Sequence, residues 1–237
     1  MGIVTVIISA KGGSGGSFLT SGLGIALAER GKSVLVIDCV SGMRNIDFML
    51  GVSDRLVFDL GDVLGNNCDV RNAVYPSDFA NGLYIMPAPL ESMDISPDIL
   101  KNLLDSLNYD YILADCHANQ TAYSLSRYFQ TIINAEAVPL SVRCGNRVLL
   151  ECRKNHCQNI RLVINRFNEK DFFDSDFFSD LDEVIDKTGA RLFGIVPQDS
   201  RLALAFQKGQ PFKDKSKAVY ALDRIAARID GIDIPLF

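Results

Sequence analysis

Short and almost uninterrupted apolar runs recur along the chain and alternate with amphipathic segments. Such runs are typical of strands that a parallel sheet buries on both of its faces. The pattern therefore predicts seven strands, at residues 3–9, 33–38, 82–88, 110–116, 131–137, 160–167 and 191–197.

The segments between these runs carry helix signals. Residues 17–31 combine apolar positions with a glycine at their end, and residues 96–107 begin with a serine cap followed by a proline. Residues 217–231 place their apolar side chains on one stripe, which suits packing on a sheet. The alternation of strand and helix predicts an α/β fold with a mostly parallel, doubly wound sheet, helices on both faces and ligands at the carboxyl ends of the strands.

Length and charge limit the class of protein. A chain of 237 residues, 48% hydrophobic and 22% charged, can bury one sizeable core, so we expect one domain over residues 1–237. The net charge of −5 argues against general nucleic-acid binding, which depends on Lys and Arg neutralising phosphates. No apolar run approaches the roughly 18 residues that cross a bilayer, and the first residues lack a secretion signal, so we expect a cytoplasmic protein.

The six cysteines are scattered and form no CxxC pair, which favours reduced thiols over a disulfide framework. Cys39 and Cys116 each follow an aspartate at a predicted strand end, and we favour incidental thiols over a redox pair there. Cys152, His156 and Cys157 lie close together in sequence, but their spacing is unlike the four convergent ligands of a structural zinc site.

Residues 168–180, NEKDFFDSDFFSD, place four phenylalanines among acidic residues. One interpretation is half-buried packing at the start of a helix, and the other is a motif that docks a partner. We favour packing, because most large apolar side chains are at least partly buried in a folded domain.

The motif with the clearest chemistry is a glycine-rich loop, SAKGGSGGSFLTSGLG at residues 9–24. It follows a predicted strand and opens a predicted helix, which is the context of a phosphate-binding loop. Its glycines let successive backbone N–H groups converge on an anion at the helix N-terminus, and Ser17 stands where a hydroxyl would ligate Mg²⁺. A plain glycine-rich turn is the alternative interpretation.

Three motifs, KGGSGGS at 11–17, VLVIDCVSGMRNIDFMLG at 34–51 and LADCHAN at 113–119, resemble those of the MinD/ParA family of deviant Walker P-loop ATPases, in its MinD-like branch. The corresponding family patterns are KGGxGK(S/T), DxDxGxRNxD and DxPAG. The resemblance extends over nearly the whole chain, including RLVINRF at 161–167 and GIVPQD at 194–199. It implies a P-loop NTPase fold in a protein that positions division or partition machinery.

The resemblance also implies a set of site residues for ATP or ADP with Mg²⁺. Lys11 and Asp38 match catalytic positions, and in dimers of the family the lysine reaches the phosphates of the partner's nucleotide. Ser17, Asp38 and Asp115 match positions at the metal. The implied nucleotide-binding residues are Lys11, Gly12, Gly13, Ser14, Gly15, Gly16, Ser17, Phe18, Asp115, Asn165, Arg166 and Pro197.

All three motifs depart from the family pattern at chemically active positions. Gly16 replaces the second loop lysine, and Val40 replaces the aspartate expected to position the attacking water. His117 and Asn119 fall where the third motif has other residues. We therefore expect ATP hydrolysis to be impaired or absent, and a nucleotide-independent scaffold for protein interactions is the alternative.

The resemblance implies protein partners: a homodimer, a heterodimer with a related ATPase, or a protein of a division or partition system. Members of the MinD branch carry a basic amphipathic C-terminal helix that lies on lipid. The last residues here, IDIPLF, lack a face rich in Lys and Arg, so we expect no direct membrane anchor. The iron–sulfur carrier branch of the same fold would need bridging cysteines in a CxxC pair.

Overall fold

A computed structural model describes residues 2–236 and is built around one sheet. The strands of this sheet are β1 (Ile3–Ser9), β2 (Val34–Asp38), β3 (Tyr75–Pro76), β4 (Leu83–Met86), β5 (Tyr111–His117), β6 (Gln130–Ala135), β7 (Ile160–Phe167) and β8 (Arg191–Pro197). Their spatial order is β3-β4-β2-β5-β1-β6-β7-β8, and every neighbouring pair is parallel except β3 with β4.

The described residues also form ten α-helices, of which the last two follow β8. They are α1 (Gly16–Glu29), α2 (Ile46–Met49), α3 (Leu60–Leu64), α4 (Pro97–Ser106), α5 (Gln120–Leu125), α6 (Pro139–Lys154), α7 (Glu169–Asp174), α8 (Leu181–Thr188), α9 (Ser200–Gln207) and α10 (Lys217–Ile229). Short 3₁₀ turns at Ser53–Arg55 and Val70–Ala73 lie between α2 and β3.

The fold class predicted from the apolar pattern is confirmed. Each of the seven predicted strands corresponds to an observed strand, with ends that differ by at most two residues. The pattern missed β3, because a strand of two residues, paired antiparallel at the edge of the sheet, is too short to show a period.

Alternate residues of each central strand point into two separate cores. In β1, Val6 and Ile8 pack into the layer beneath α4, α5 and α6, whereas Ile7 packs into the layer beneath α1 and α10. This division follows from the two-residue period of a strand, and it explains why the central strands are apolar at consecutive positions.

Helix α1 is mostly buried, because it lies between the sheet and α10. A Cβ atom at Gly22 would lie 2.6 Å from Leu222 Cδ1 of α10, and one at Gly24 would lie 2.7 Å from Val36 Cγ2 of β2. Both glycines thus permit a close approach that fixes the position of α1. The N-terminus of α1 is consequently held at the carboxyl edge of the sheet.

The last helix packs as its apolar stripe predicts. Leu222, Ile225, Ala226 and Ile229 of α10 are buried in the same core as α1. None of the helices within residues 2–236 combines the length and the apolar character that crossing a membrane requires.

Truncation of Leu27 tests the core beneath α1. Leu27 is fully buried, so we expect Leu27→Ala to lower the free energy of unfolding by about 2–5 kcal/mol through lost burial and a residual cavity. Urea denaturation followed by circular dichroism measures the change. Leu204→Ala, at a half-exposed leucine of α9, is the control and should change the stability by less than about 0.5 kcal/mol; equal losses would contradict the assignment of this core.

Candidate functional site

A cavity of about 360 Å³ opens at the carboxyl edge of the sheet, beside the N-terminus of α1. Parallel strands of a doubly wound sheet leave a crevice at this edge, where connections run to opposite faces. The predicted residues that line this cavity are Gly12, Gly13, Gly15, Gly16, Ser17, Phe18, Asp115, Asn165, Arg166 and Pro197. The other predicted residues, Lys11, Ser14 and Asp38, lie next to this lining.

The glycine-rich loop has the conformation of an anion cradle. Gly13 and Gly15 adopt left-handed backbone angles, with φ of 82° and 83°, which favour glycine. A Cβ atom at Gly12 or Gly13 would meet nothing within 4 Å, so the space over the loop is open. No side chain caps the first turn of α1, whose N–H groups therefore remain available to an anion.

Two asparagine side chains support this loop from below. Asn134 at the end of β6 donates from Nδ2 to the carbonyl oxygen and the hydroxyl of Ser14, at 3.2 and 3.0 Å. Asn165 on β7 donates from Nδ2 to the carbonyl oxygens of Ser14 and Gly15, at 3.2 and 3.0 Å. The amide of Asn165 thus donates to the loop, although the resemblance implies that this residue binds the nucleotide.

The space beside Gly16 is already filled. A Cβ atom at this position would lie 1.8 Å from the Ser9 Oγ atom and 3.3 Å from Asp115 Oδ1. Contacts under 3.0 Å are not tolerated, so any larger residue at Gly16 requires the Ser9 side chain to rotate away. In the present rotamer, the Ser9 hydroxyl occupies the space that the first side-chain atom of a larger residue at position 16 would take.

Asp38 and Asp115 lie side by side on β2 and β5, and both are buried. Asp115 accepts a hydrogen bond of 2.6 Å from the Ser17 hydroxyl. Asp38 accepts from the backbone N–H groups of Val40, Asn45 and Ile46, at 3.0, 3.1 and 3.3 Å. A hydroxyl and a carboxylate at the cavity wall are the oxygen donors that Mg²⁺ prefers, so Ser17 and Asp115 fit a magnesium site, with Asp38 beneath them.

Burial sets the protonation of this pair. Desolvation, together with the negative charge of Asp38, raises the pKa of Asp115 to about 7. Desolvation also raises the pKa of Asp38, against the opposing effect of its three backbone hydrogen bonds. Two adjacent carboxyl groups in a low-dielectric site disfavour simultaneous ionisation, so a cation beside them would favour the charged forms.

The segment after β2 is held in place and contributes Val40 to the cavity lining. Val40 is 4% exposed and offers only an apolar side chain where the family pattern has aspartate. Arg44 anchors the segment, because its guanidinium donates to Asp59 Oδ2 at 2.7 Å and to the Ala88 carbonyl oxygen at 3.0 Å. The geometry therefore orders this segment and leaves position 40 itself without a group that could orient a water molecule.

Glu136, which follows β6, pairs with both cationic side chains beside the loop. Its carboxylate oxygens lie 3.9 Å from Lys11 Nζ and 3.5 Å from Arg166 Nη1. Arg166 also donates from Nη1 to the Gly13 carbonyl oxygen at 2.7 Å and has a left-handed φ of 52°. The apolar pattern did not identify Glu136, because the strand predicted at 131–137 included it, whereas the observed strand ends at Ala135.

The other end of the cavity carries apolar groups, beside polar residues that include Gln198 and Asp199. Phe18 of α1 and Phe206 of α9 make an edge-to-face contact with ring centroids 5.2 Å apart, and Pro197 at the end of β8 lies on the same lining. A flat aromatic ligand group could bury its surface here while an attached phosphate reaches the loop. This division into a polar cradle and an apolar end fits a nucleotide.

Cys39 and Cys116 are adjacent, on the side of the strands opposite to the two aspartates. A hydrogen bond to Cys116 and burial raise the pKa of the Cys39 thiol well above its usual value. A raised pKa keeps the thiol protonated and weakly nucleophilic, in agreement with the interpretation of incidental thiols.

Comparison with known proteins agrees with this geometry. Residues 5–212 match the family described as "CobQ/CobB/MinD/ParA nucleotide binding domain". The chain is similar to the septum site-determining protein MinD of Bacillus subtilis, with 34% identity over 100% of this chain and 92% of the relative.

Solved structures give the same result. A chain of the MinC:MinD cell division protein complex of Aquifex aeolicus is 30% identical, with a TM-score of 0.87 and coverage of 99% of this chain and 98% of that one. The septum site-determining protein MinD of Pyrococcus horikoshii, complexed with Mg-ADP, shares the fold at 24% identity and a TM-score of 0.80, over 97% of this chain and 96% of that one.

The carboxylate pair predicts a pH-dependent stability without divalent cations. The folded pKa of Asp115, about 7, exceeds its ordinary 3.8, so its contribution is fully present below about pH 4 and is lost as pH rises through 7. We expect the urea midpoint of the native protein to fall between pH 5 and 8 by more than that of Asp115→Asn. Asp54→Asn, at an exposed aspartate, should keep the native pH dependence, and a parallel loss in Asp115→Asn would refute this account.

Proposed function

The chain belongs to the CobQ/CobB/MinD/ParA nucleotide-binding family, in its MinD-like branch, and we propose that it is a nucleotide-binding protein of a division or partition system whose ATP hydrolysis is impaired or absent. The observation that carries the proposal is that Gly16 and Val40 both line the cavity, where neither offers a side chain with a charge or a hydrogen-bonding group. The backbone of the glycine-rich loop can still hold phosphate oxygens, whereas these two positions supply no group for the chemical step.

Several features of this chain support retained binding of Mg-ATP or Mg-ADP. The uncapped N-terminus of α1 and the open backbone at Gly12 and Gly13 can hold phosphate oxygens. Ser17 and Asp115 can hold Mg²⁺, which when bound would neutralise charge on those oxygens. Phe18 and Pro197 can cover the base. None of these groups depends on a lysine at position 16.

Glycine at position 16 and valine at position 40, in place of the lysine and the aspartate of the family pattern, affect hydrolysis more than binding. Phosphoryl transfer depends almost entirely on positioned charge and an oriented nucleophile. Glycine offers no charge to the transferring group, and valine offers no acceptor to a water molecule. Loss of one preorganised electrostatic group typically costs about 10²–10³ in rate, so a slow ATPase with both changes falls near the limit of detection.

A nucleotide-independent scaffold is the second candidate, and Glu136 favours it. Its carboxylate pairs with Lys11 and Arg166, the two cations beside the loop, and so partly neutralises the charge that would attract phosphate. In such a scaffold, the ion pairs of Glu136 take the place of the contacts that phosphate would make with Lys11 and Arg166. Calorimetric titration with Mg-ADP separates the candidates, because the scaffold gives no binding heat at millimolar nucleotide.

The proposed partners are a second copy or a related ATPase, together with a protein of the division or partition machinery. Similarity to a chain of a MinC:MinD complex supports a division partner. Lys11 is partly exposed beside the cavity, which suits a role toward the nucleotide of a facing subunit. The absence of a direct membrane anchor and of general nucleic-acid binding stays a prediction, as does a cytoplasmic location.

Restoring the family residues tests the proposed loss of hydrolysis. We expect no phosphate release from the native protein and none from Gly16→Lys alone, because Val40 still offers no acceptor to the attacking water and the Ser9 side chain must rotate to admit the lysine. Release should appear when Gly16→Lys and Val40→Asp are combined with Ser9→Ala, which removes the blocking hydroxyl. A phosphate-release assay at saturating Mg-ATP measures the rates.

The control is Gly16→Ala and Val40→Asp in the Ser9→Ala background, which admits a Cβ atom without the lysine charge. Thermal melts by circular dichroism identify any variant that has failed to fold. Rapid hydrolysis by the native protein would contradict the proposal.

Removal of the Glu136 charge tests the competition with phosphate. We expect Glu136→Gln to tighten Mg-ADP binding roughly 2- to 5-fold, because partly exposed ion pairs are worth about 0.2–1 kcal/mol. Isothermal titration calorimetry measures the affinity. Glu29→Gln, at the other end of α1, changes the net charge equally and should leave the affinity unchanged. Equal or weaker binding in Glu136→Gln would mean that Glu136 does not compete with phosphate.

A further inference from the structure

An exposed surface of α7, α8 and their connection concentrates negative charge and aromatic rings. Residues 168–187 contain eight acidic and two basic residues, a net charge of −6, in a chain whose net charge is −5. Of the four phenylalanines in this segment, Phe172 and Phe178 are buried, whereas Phe173 is 59% and Phe177 is 52% exposed. The packing interpretation therefore accounts for two rings and leaves two uncovered.

Buried phenylalanines hold the exposed ring of Phe173 in place. Phe172 packs against Phe167 of β7, with centroids 5.3 Å apart, and stacks on Phe178 at 6.4 Å. Phe173 meets the edge of Phe172 at 5.3 Å. A ring held at the surface by buried neighbours loses little conformational entropy on binding, which is typical of an interface anchor.

Charges around these rings have no internal partner. Asp171, Asp174 and Asp176 are exposed and form no ion pair within residues 2–236. We call Phe173, Phe177 and these three aspartates the acidic-aromatic patch. A surface of this kind favours an occupant with cationic groups and apolar side chains side by side.

The exposed face of α6 has the complementary chemistry. Leu140 is 60% and Leu150 is 48% exposed, and Arg143 and Arg147 between them are exposed without an ion pair in the described part of the chain. With 3.6 residues per turn, these four side chains and Lys154 lie within about 80° of one another around the helix axis. We call these five residues the Arg-Leu stripe.

We propose that the acidic-aromatic patch of one copy binds the Arg-Leu stripe of a second copy. The cationic guanidinium groups would pair with the aspartates and lie over the aromatic faces, while the two leucines cover the exposed rings. The contact goes beyond the proposed function, because it uses no residue that lines the cavity and does not require nucleotide.

The two surfaces lie on neighbouring elements of each copy, because α8 follows the patch in sequence and packs on α6, which carries the stripe; this placement suits a two-fold arrangement. Helices α6 and α8 are packed together, and Asn146 of α6 donates to the Thr188 carbonyl oxygen of α8 at 3.2 Å. With the surfaces side by side, a two-fold axis places the stripe of each copy against the patch of the other, so the contact occurs twice. A protein can thus dimerise through charges that carry opposite signs on one face.

Sedimentation equilibrium of the full chain, without nucleotide, tests the proposal. We expect a dimer at low ionic strength that weakens at least about 10-fold at 0.5 M salt, because exposed ion pairs are screened. Phe173→Ser with Phe177→Ser should weaken it at least about 10-fold at low salt. Phe48→Ser, at an equally exposed phenylalanine of α2, is the matched control and should leave the dimer intact.

Charge exchange makes the test specific. A stripe variant, Arg143→Glu with Arg147→Glu, and a patch variant, Asp171→Lys with Asp174→Lys, should each be monomeric, since both contacts of each homodimer become repulsive. A mixture of the two should form a heterodimer, since both contacts are then attractive. Circular dichroism checks the fold of each variant. Monomeric native protein, or a mixture that stays monomeric, overturns the proposal.

This outcome is independent of the nucleotide site. Failure of the proposed function, seen as absent Mg-ADP binding, leaves the nucleotide-free dimer measurable. A dimer that forms only with Mg-ATP and persists in the stripe and patch variants assigns self-association to another surface and refutes the proposed contact.

Discussion

Two buried carboxyl groups at the ends of neighbouring strands constrain the rest of the site. Asp38 and Asp115 lie in register on β2 and β5, where little solvent reaches them. Their proximity opposes simultaneous ionisation, and each is stabilised by a different element. Asp115 is bonded to Ser17 at the start of α1, and Asp38 is bonded to the backbone of the segment that follows β2. A change in the charge of this pair would therefore alter hydrogen bonds both at the start of α1 and in the segment that follows β2.

This arrangement clarifies what the altered motifs retain. The backbone of the glycine loop, its support from Asn134 and Asn165, and the carboxylate pair are all structural requirements of the cradle. Positions 16 and 40 are where the family pattern has charged side chains for phosphoryl transfer. The fold forms here with glycine and valine at these positions. The conformation of the loop therefore does not depend on a charged side chain at position 16 or position 40, because backbone geometry and the two asparagines hold it.

The charges beside the glycine-rich loop are paired within the chain. Glu136 pairs with Lys11 and Arg166 across the loop, so the cations are held within the subunit. On the outer surface the opposite holds, because the aspartates around Phe173, and Arg143 and Arg147 of α6, form no ion pair within the described residues. The charges beside the loop are paired within one copy, whereas the charges of the acidic-aromatic patch and the Arg-Leu stripe would be paired in the proposed dimer.

The sequence by itself determined the fold class and the position of the cradle. Consecutive apolar residues in strands such as β1, and the glycines that follow it, reflect local geometry that each segment needs wherever the chain folds in this way. Only the tertiary structure decided that Ser9 fills the space beside Gly16 and that Glu136 reaches Lys11 and Arg166. These contacts depend on strand register and side-chain rotation between distant segments, and no periodicity along the chain encodes them.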